Sequence, residues 1–168
     1  MSVREILQRM RRTWTVGNRF LLLENGEQYY PAVFEAIAGA QHEVVIETFI
    51  LFDDRVGTEL KRVLLAAAAR GVEIDLTIDG WGSSFLPPEF CDELTSAGIR
   101  LHVFDPVKRI FDWRPNFLRR MHRKITVIDR EVAFVGGINV NDDWYCDHAD
   151  GHRLPAPRWD FTVRVRGP

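Results

Sequence analysis

Ile125-Thr126-Val127-Ile128, Asp129-Arg130-Glu131, Val132-Ala133-Phe134-Val135 and Gly136-Gly137-Ile138-Asn139 follow one another without a break, and their reading decides the fold. Two β-prone runs separated by three polar residues predict an antiparallel hairpin with a tight turn at Asp129-Arg130-Glu131. Side chains two apart on an extended chain share a face, so His122 and Lys124, just upstream, point the same way. Gly136 and Gly137 end the second run with no side chains, which admits the close approach of a ligand. Asn139 adds amide donors. An imidazole, an ammonium, an amide and bare backbone at one spot suit a phosphate. Lysine supplies a point charge, amides supply directed donors, and histidine attacks phosphorus or moves a proton near neutral pH. Written as a pattern the stretch is H-x-K-x4-D-x6-G-G-x-N, and the chain carries one copy.

Upstream, apolar runs alternate with helical patterns. Residues 20–24 predict a short strand and Asn25-Gly26 a turn. Tyr30 to Gly39 reads as a helix with Pro31 in its first turn. Glu43 to Leu51 is a buried strand whose exception is Glu47; a buried carboxylate needs a partner, so Glu47 is a satisfied structural acid or a site residue. Thr58 to Arg70 is a Leu- and Ala-rich helix closed by Gly71. Val72 to Ile78 is a core strand leading into the glycine-rich loop Asp79-Gly80-Trp81-Gly82-Ser83-Ser84, a candidate pocket rim. A helix over Pro88 to Ala97, a strand over Arg100 to Phe104 and a last strand over Phe161 to Arg166 complete the order. The alternation predicts an α/β layered domain, a mixed sheet flanked by helices, with the hairpin adding antiparallel strands.

At 168 residues the chain has the length of one domain with a sizeable core. Residues 1–13 form a candidate basic amphipathic helix, with Val3, Ile6, Leu7 and Met10 on one face, packed on the domain or lying on a membrane. No run approaches the roughly 20 apolar residues that span a bilayer. Cys91 and Cys146 have no metal-ligand spacing and read as free thiols. The net charge of −2 hides an asymmetry. Residues 1–107 hold 10 basic and 16 acidic side chains, residues 108–168 hold 12 and 8. The basic excess peaks at Lys108, Arg109, Arg114, Arg119, Arg120, Arg123 and Lys124, interleaved with Ile110, Phe111, Trp113, Phe117, Leu118 and Met121. Such a run is a solvated face, a surface for anionic headgroups or a nucleic-acid patch.

The motif resembles the HKD motif of the phospholipase D superfamily, and its Gly-Gly-x-Asn ending resembles the cardiolipin synthase version. The resemblance extends to Leu23–Pro31, Val45–Ile50, Arg70-Gly71-Val72, Asp79-Gly80, Arg119–Lys124 and Asp160–Pro168, and covers residues 14–168. It implies a phospholipase D-like domain with a single HKD motif. It also implies two-step phosphatidyl transfer through a phosphohistidine, with phosphatidylglycerol as donor and acceptor and glycerol released. His122, Lys124 and Asn139 are then the phosphate chemistry, with Gly136, Gly137, Arg120 and Arg123 beside the phosphate. Asp160 corresponds to an acid that hydrogen-bonds a catalytic histidine, and Asp129, at the turn, holds the hairpin in shape. Neither metal nor organic cofactor is implied.

The chemistry normally needs two such motifs, so the chain is expected to be an amino-terminal half, truncated or split. Its expected partners are an anionic phospholipid, a membrane surface, and a second HKD half or homodimer partner. A bacterial cytoplasmic membrane, peripherally, is the expected location. Nucleic acid is not expected as a partner. The alternatives are a homodimeric single-motif phosphodiesterase or nuclease, and a catalytically incomplete lipid-binding fragment.

Overall fold

Seven strands form one mixed sheet in a computed structural model that describes residues 16–106, 120–146 and 152–167. The strands are β1 (Arg19–Glu24), β2 (Glu43–Thr48), β3 (Glu73–Asp79), β4 (Arg100–Phe104), β5 (Ile125–Ile128), β6 (Val132–Gly136) and β7 (Phe161–Arg166). The helices are α1 (Asn25–Gly39), α2 (Arg55–Ala69) and α3 (Pro88–Ser96). The order across the sheet is β1-β7-β6-β5-β2-β3-β4. The β2–β3 and β3–β4 pairs are parallel and joined through α2 and α3; every other pair is antiparallel. The expected α/β sheet with an added antiparallel hairpin is therefore present. The expected helix in residues 1–13 and the basic residues 108–119 lie outside the described residues.

One core joins the three helices to one sheet face. Val44 and Ile46 of β2 and Ile74, Leu76 and Ile78 of β3 alternate inward and meet Val33 and Ile37 of α1, Leu60, Val63 and Leu64 of α2, and Phe90 and Leu94 of α3. Each such side chain, fully removed from water, contributes about 1.5–3 kcal/mol. In α2, Val56, Leu60, Val63, Leu64 and Ala67 recur at helical spacing and form its buried stripe. Asp54 caps that helix by accepting from the amides of Val56 and Gly57, both at 2.9 Å.

Three element boundaries differ from the sequence reading by three residues or more; one is the start of α2, at Arg55 where Asp54 caps it and not at Thr58. The turn expected at Asn25-Gly26 is the start of α1, which puts Pro31 inside the helix. Tertiary contacts set this boundary. Asn25 has the left-handed φ of 54° that suits a turn, but its amide donates to the Asp160 carbonyl and its Oδ1 accepts from the Asp160 amide. The Gly26 amide donates to the Asp143 carboxylate, so the first turn is held from outside. The strand expected over Glu43 to Leu51 ends at Thr48, and the chain then turns to pass the site. Both cysteines are free of disulfides, and burial pushes the Cys91 thiol up.

Candidate active site

The hairpin turn is built by Asp129. Asp129 and Arg130 have φ of 52° and 59°, the backbone of a tight hairpin turn. The Asp129 carboxylate accepts from the amides of Gln41, His42 and Glu43 at 2.9, 2.8 and 2.9 Å, fastening the turn to the start of β2. Burial alone would raise its pKa, but those three amides and the neighbouring His42 outweigh it and hold the carboxyl below its ordinary value of 3.8. It lies at the end of β5 away from His122 and Lys124, and its bonds serve shape.

At the other end of the hairpin, the Lys124 Nζ lies 3.1 Å from each ring nitrogen of His122 and 3.3 Å from the His122 carbonyl. Whichever tautomer the imidazole adopts, one of its nitrogens can accept from that ammonium. Lys124 is buried, whereas His122 is exposed. Phe49, just beyond β2, underlies both: its ring centroid is 4.7 Å from that of His122 and 5.2 Å from the Lys124 ammonium. The Gly136 amide donates to the Lys124 carbonyl at 3.2 Å, which ties the glycine end of β6 to the lysine.

Both glycines are required by what touches them. A Cβ on Gly136 would run into the backbone and hydroxyl of Phe161-Thr162, and one on Gly137 into the Asp160 carboxylate. Asp160 thus rests on Gly137, and its Oδ1 accepts from the Phe161 amide at 2.7 Å. It makes no hydrogen bond to His122 among the described residues. Asn139 is oriented by the Ile50 amide, which donates to its Oδ1 at 3.1 Å and so leaves the side-chain NH2 as donor. The Tyr30 hydroxyl donates to the Asn139 carbonyl at 3.1 Å and to the Asn141 carbonyl at 2.6 Å, supporting the loop from beneath.

Glu47 and Arg123 pair with each other. Arg123 grips the carboxylate at 2.8 and 3.1 Å, on the sheet face opposite the core. Arg120 lies at the rim, 3.3 Å from the Asp105 carboxylate and 5.9 Å above the Trp81 ring. The structure therefore gathers His122, Lys124, Asn139, Gly136, Gly137 and Asp160 around one end of the hairpin, with Glu47 and Arg123 beside them as a separate ion pair. Phe49, Tyr30 and Asp79 support the site; of these the sequence reading placed only Asp79 near a site, as the start of a candidate pocket rim and without a role of its own. Asp79 is fully buried and accepts from the amides of Trp81, Gly82 and Met121 at 2.9, 3.0 and 2.9 Å, joining the glycine-rich loop to the segment that carries His122. A signal for Asp79 existed, an acid at the end of an apolar strand; Phe49 and Tyr30 read simply as core. Among the described residues no group of three or more His, Cys, Asp or Glu side chains could hold a metal ion.

A family model for the cardiolipin synthase, phospholipase D-like domain matches residues 33–148. The chain belongs to that family. It is 48% identical over 159 residues to cardiolipin synthase B of Shigella flexneri, covering 95% of this chain and 37% of that protein. It is 38% identical over 165 residues to cardiolipin synthase A of Pseudomonas aeruginosa, covering 96% of this chain and 32% of that one. The chain thus spans about a third of the length of these synthases. The fold is also that of Nuc from Salmonella typhimurium, a phospholipase D family member, with a TM-score of 0.62 at 15% identity over 90% of this chain and 84% of that one. The H-x-K-x4-D pattern of His122, Lys124 and Asp129 lies within the matched residues. Among the described residues no helix is long and apolar enough to cross a membrane.

Proposed function

We propose that the chain supplies one half of a phosphatidyltransferase site of the cardiolipin synthase type, completed by a second motif-bearing half. The observation that carries this is the contact of His122 with Lys124 beside a bare glycine floor, with the Asn139 NH2 left as a donor. A ring nitrogen of His122 attacks the phosphorus of phosphatidylglycerol, and the bond to the glycerol oxygen breaks. A histidine of the second half protonates the leaving glycerol. That histidine then takes the proton of a hydroxyl on a second phosphatidylglycerol, whose oxygen displaces His122 from phosphorus and forms cardiolipin. Lys124 and Asn139 hold the non-bridging oxygens as charge grows on them.

Asp160 makes no hydrogen bond to His122 among the described residues, so its orienting role is directed at the histidine of the other half. The partner is a second half of this kind in the same protein or in another copy, and the membrane is the source of the lipid.

Adding the chain to a separately made second half with phosphatidylglycerol vesicles tests the reading through cardiolipin and released glycerol. Turnover that needs both components and disappears in His122→Ala is expected; turnover unaffected by His122→Ala sinks it. A homodimeric phosphodiesterase is the second reading, favoured by the single H-x-K-x4-D pattern in the chain, which a second copy would double. DNA cleavage by the chain alone, without lipid turnover, would establish it instead.

A further inference from the structure

The loop after β3 presents two large aromatic side chains to solvent at the mouth of the site. Trp81 is 48% exposed and Phe85 61%. Exposure here does not come from a loose loop. Asp79 binds the amides of Trp81 and Gly82, Ser83 Oγ accepts from the Leu51 amide at 3.0 Å and donates to the Phe49 carbonyl at 3.2 Å, and the Ser83 amide donates to the Asp79 carbonyl. A Cβ on Gly82 would run into that Phe49 carbonyl, so the loop is seated as tightly as backbone allows. The fastening leaves the two rings outside. Each leans on a ring of the segment after β2: Trp81 on Phe49 at 6.0 Å and Phe85 on Phe52 at 6.2 Å. Phe49 is the ring that supports His122, so the exposed aromatics and the imidazole are mounted on one platform.

We infer that Trp81 and Phe85 insert into the headgroup–acyl boundary of a phospholipid bilayer and hold His122 at the depth of the lipid phosphate. This rests on the phosphatidyltransferase reading above, because a phosphodiester that stays in its membrane can meet His122 when the rim of the site enters the boundary. Trp and Phe favour that zone, where an apolar body is buried and polar edges stay wet. Among the described residues, the two arginines at the rim are paired. Arg120 faces Asp105 and Arg123 faces Glu47, so each of these two arginines is matched by a carboxylate. The contribution of the two aromatics comes from apolar burial and is insensitive to salt, unlike the attraction of a basic patch.

The test uses the full chain and vesicles of phosphatidylglycerol with phosphatidylcholine, and needs no turnover. Trp81→Ala/Phe85→Ala is expected to weaken vesicle binding at least about tenfold at both low and high salt, from the apolar area two such side chains remove from water. Trp81→Phe/Phe85→Leu retains binding. Brominated acyl chains quench the tryptophan emission of the parent, and the quenching falls in Trp81→Phe. Because both positions are exposed, the melting temperature stays near that of the parent, and a matched melt shows that lost binding is not lost folding. Unchanged vesicle binding by the double alanine variant overturns the inference. So does loss of self-association in sedimentation with vesicle binding intact, which assigns the patch to a second copy. Failure of lipid turnover in the completed enzyme, with Trp81-dependent binding retained, counts against the phosphatidyltransferase reading and not against this contact.

Discussion

At Asp129 three backbone amides converge on one carboxylate, and the consequence for stability has a definite sign. A carboxyl held below its ordinary pKa contributes stability that is complete above the ordinary value and is lost as pH falls through the lowered one. Asp129→Asn is therefore expected to lower stability by about 1–2 kcal/mol at neutral pH. In urea melts across pH, the gap between parent and variant should narrow below the ordinary carboxylate range. A gap that stays constant into acid would disprove the assignment. At the other end of the hairpin, Gly137→Ala pushes a methyl group into the Asp160 carboxylate, a side-chain end that can move, whereas Gly136→Ala meets backbone. The first should reduce turnover of the completed enzyme strongly with little change in melting temperature. The second should cost about 1–3 kcal/mol of stability as well, measured by denaturant melts.

Among the elements, α2 shows how a cap also serves a site. Asp54 Oδ1 closes the helix on Val56 and Gly57, while its Oδ2 accepts from the Asp142 amide at 2.6 Å, linking the helix to the loop that follows Asn139. Asp54→Ala should destabilise by about 1–2 kcal/mol, and Asp54→Ser should recover part of the loss through the cap alone. Equal losses in both variants, read from urea midpoints, would place the whole effect in the Asp142 link. Helix α1 behaves in the same way. Its first turn is held by Asp160 and Asp143, two residues more than a hundred positions away, which is why local sequence marked a turn at Asn25-Gly26 and the fold made a helix.

For the whole molecule, the proposed phosphatidyltransferase reading puts half of the chemistry in another half, and that has a kinetic signature. If the partner is a second copy of the chain, turnover per chain should rise with chain concentration until the pair is formed; a specific activity independent of concentration down to high dilution would rule out that form of the partner. The sheet supports such a division because His122, Asn139 and Asp160 stand at one end of it. They come from the approach to β5, the exit of β6 and the entry of β7, and meet because β5, β6 and β7 are neighbours.

The amino-acid sequence by itself determined the hairpin, the alternating strands and helices, and the spacing of the residues proposed for the phosphate chemistry, because period, turn residues and spacing are local properties. It also placed Asp129 at a turn. What only the tertiary structure decided depends on contacts between distant positions: the pairing of Glu47 with Arg123, the seating of Asp160 on Gly137 instead of at His122, the start of α1, and the Phe49 ring beneath the imidazole. No spacing rule reports these, since each forms where a side chain meets whichever partner the packed sheet brings within reach.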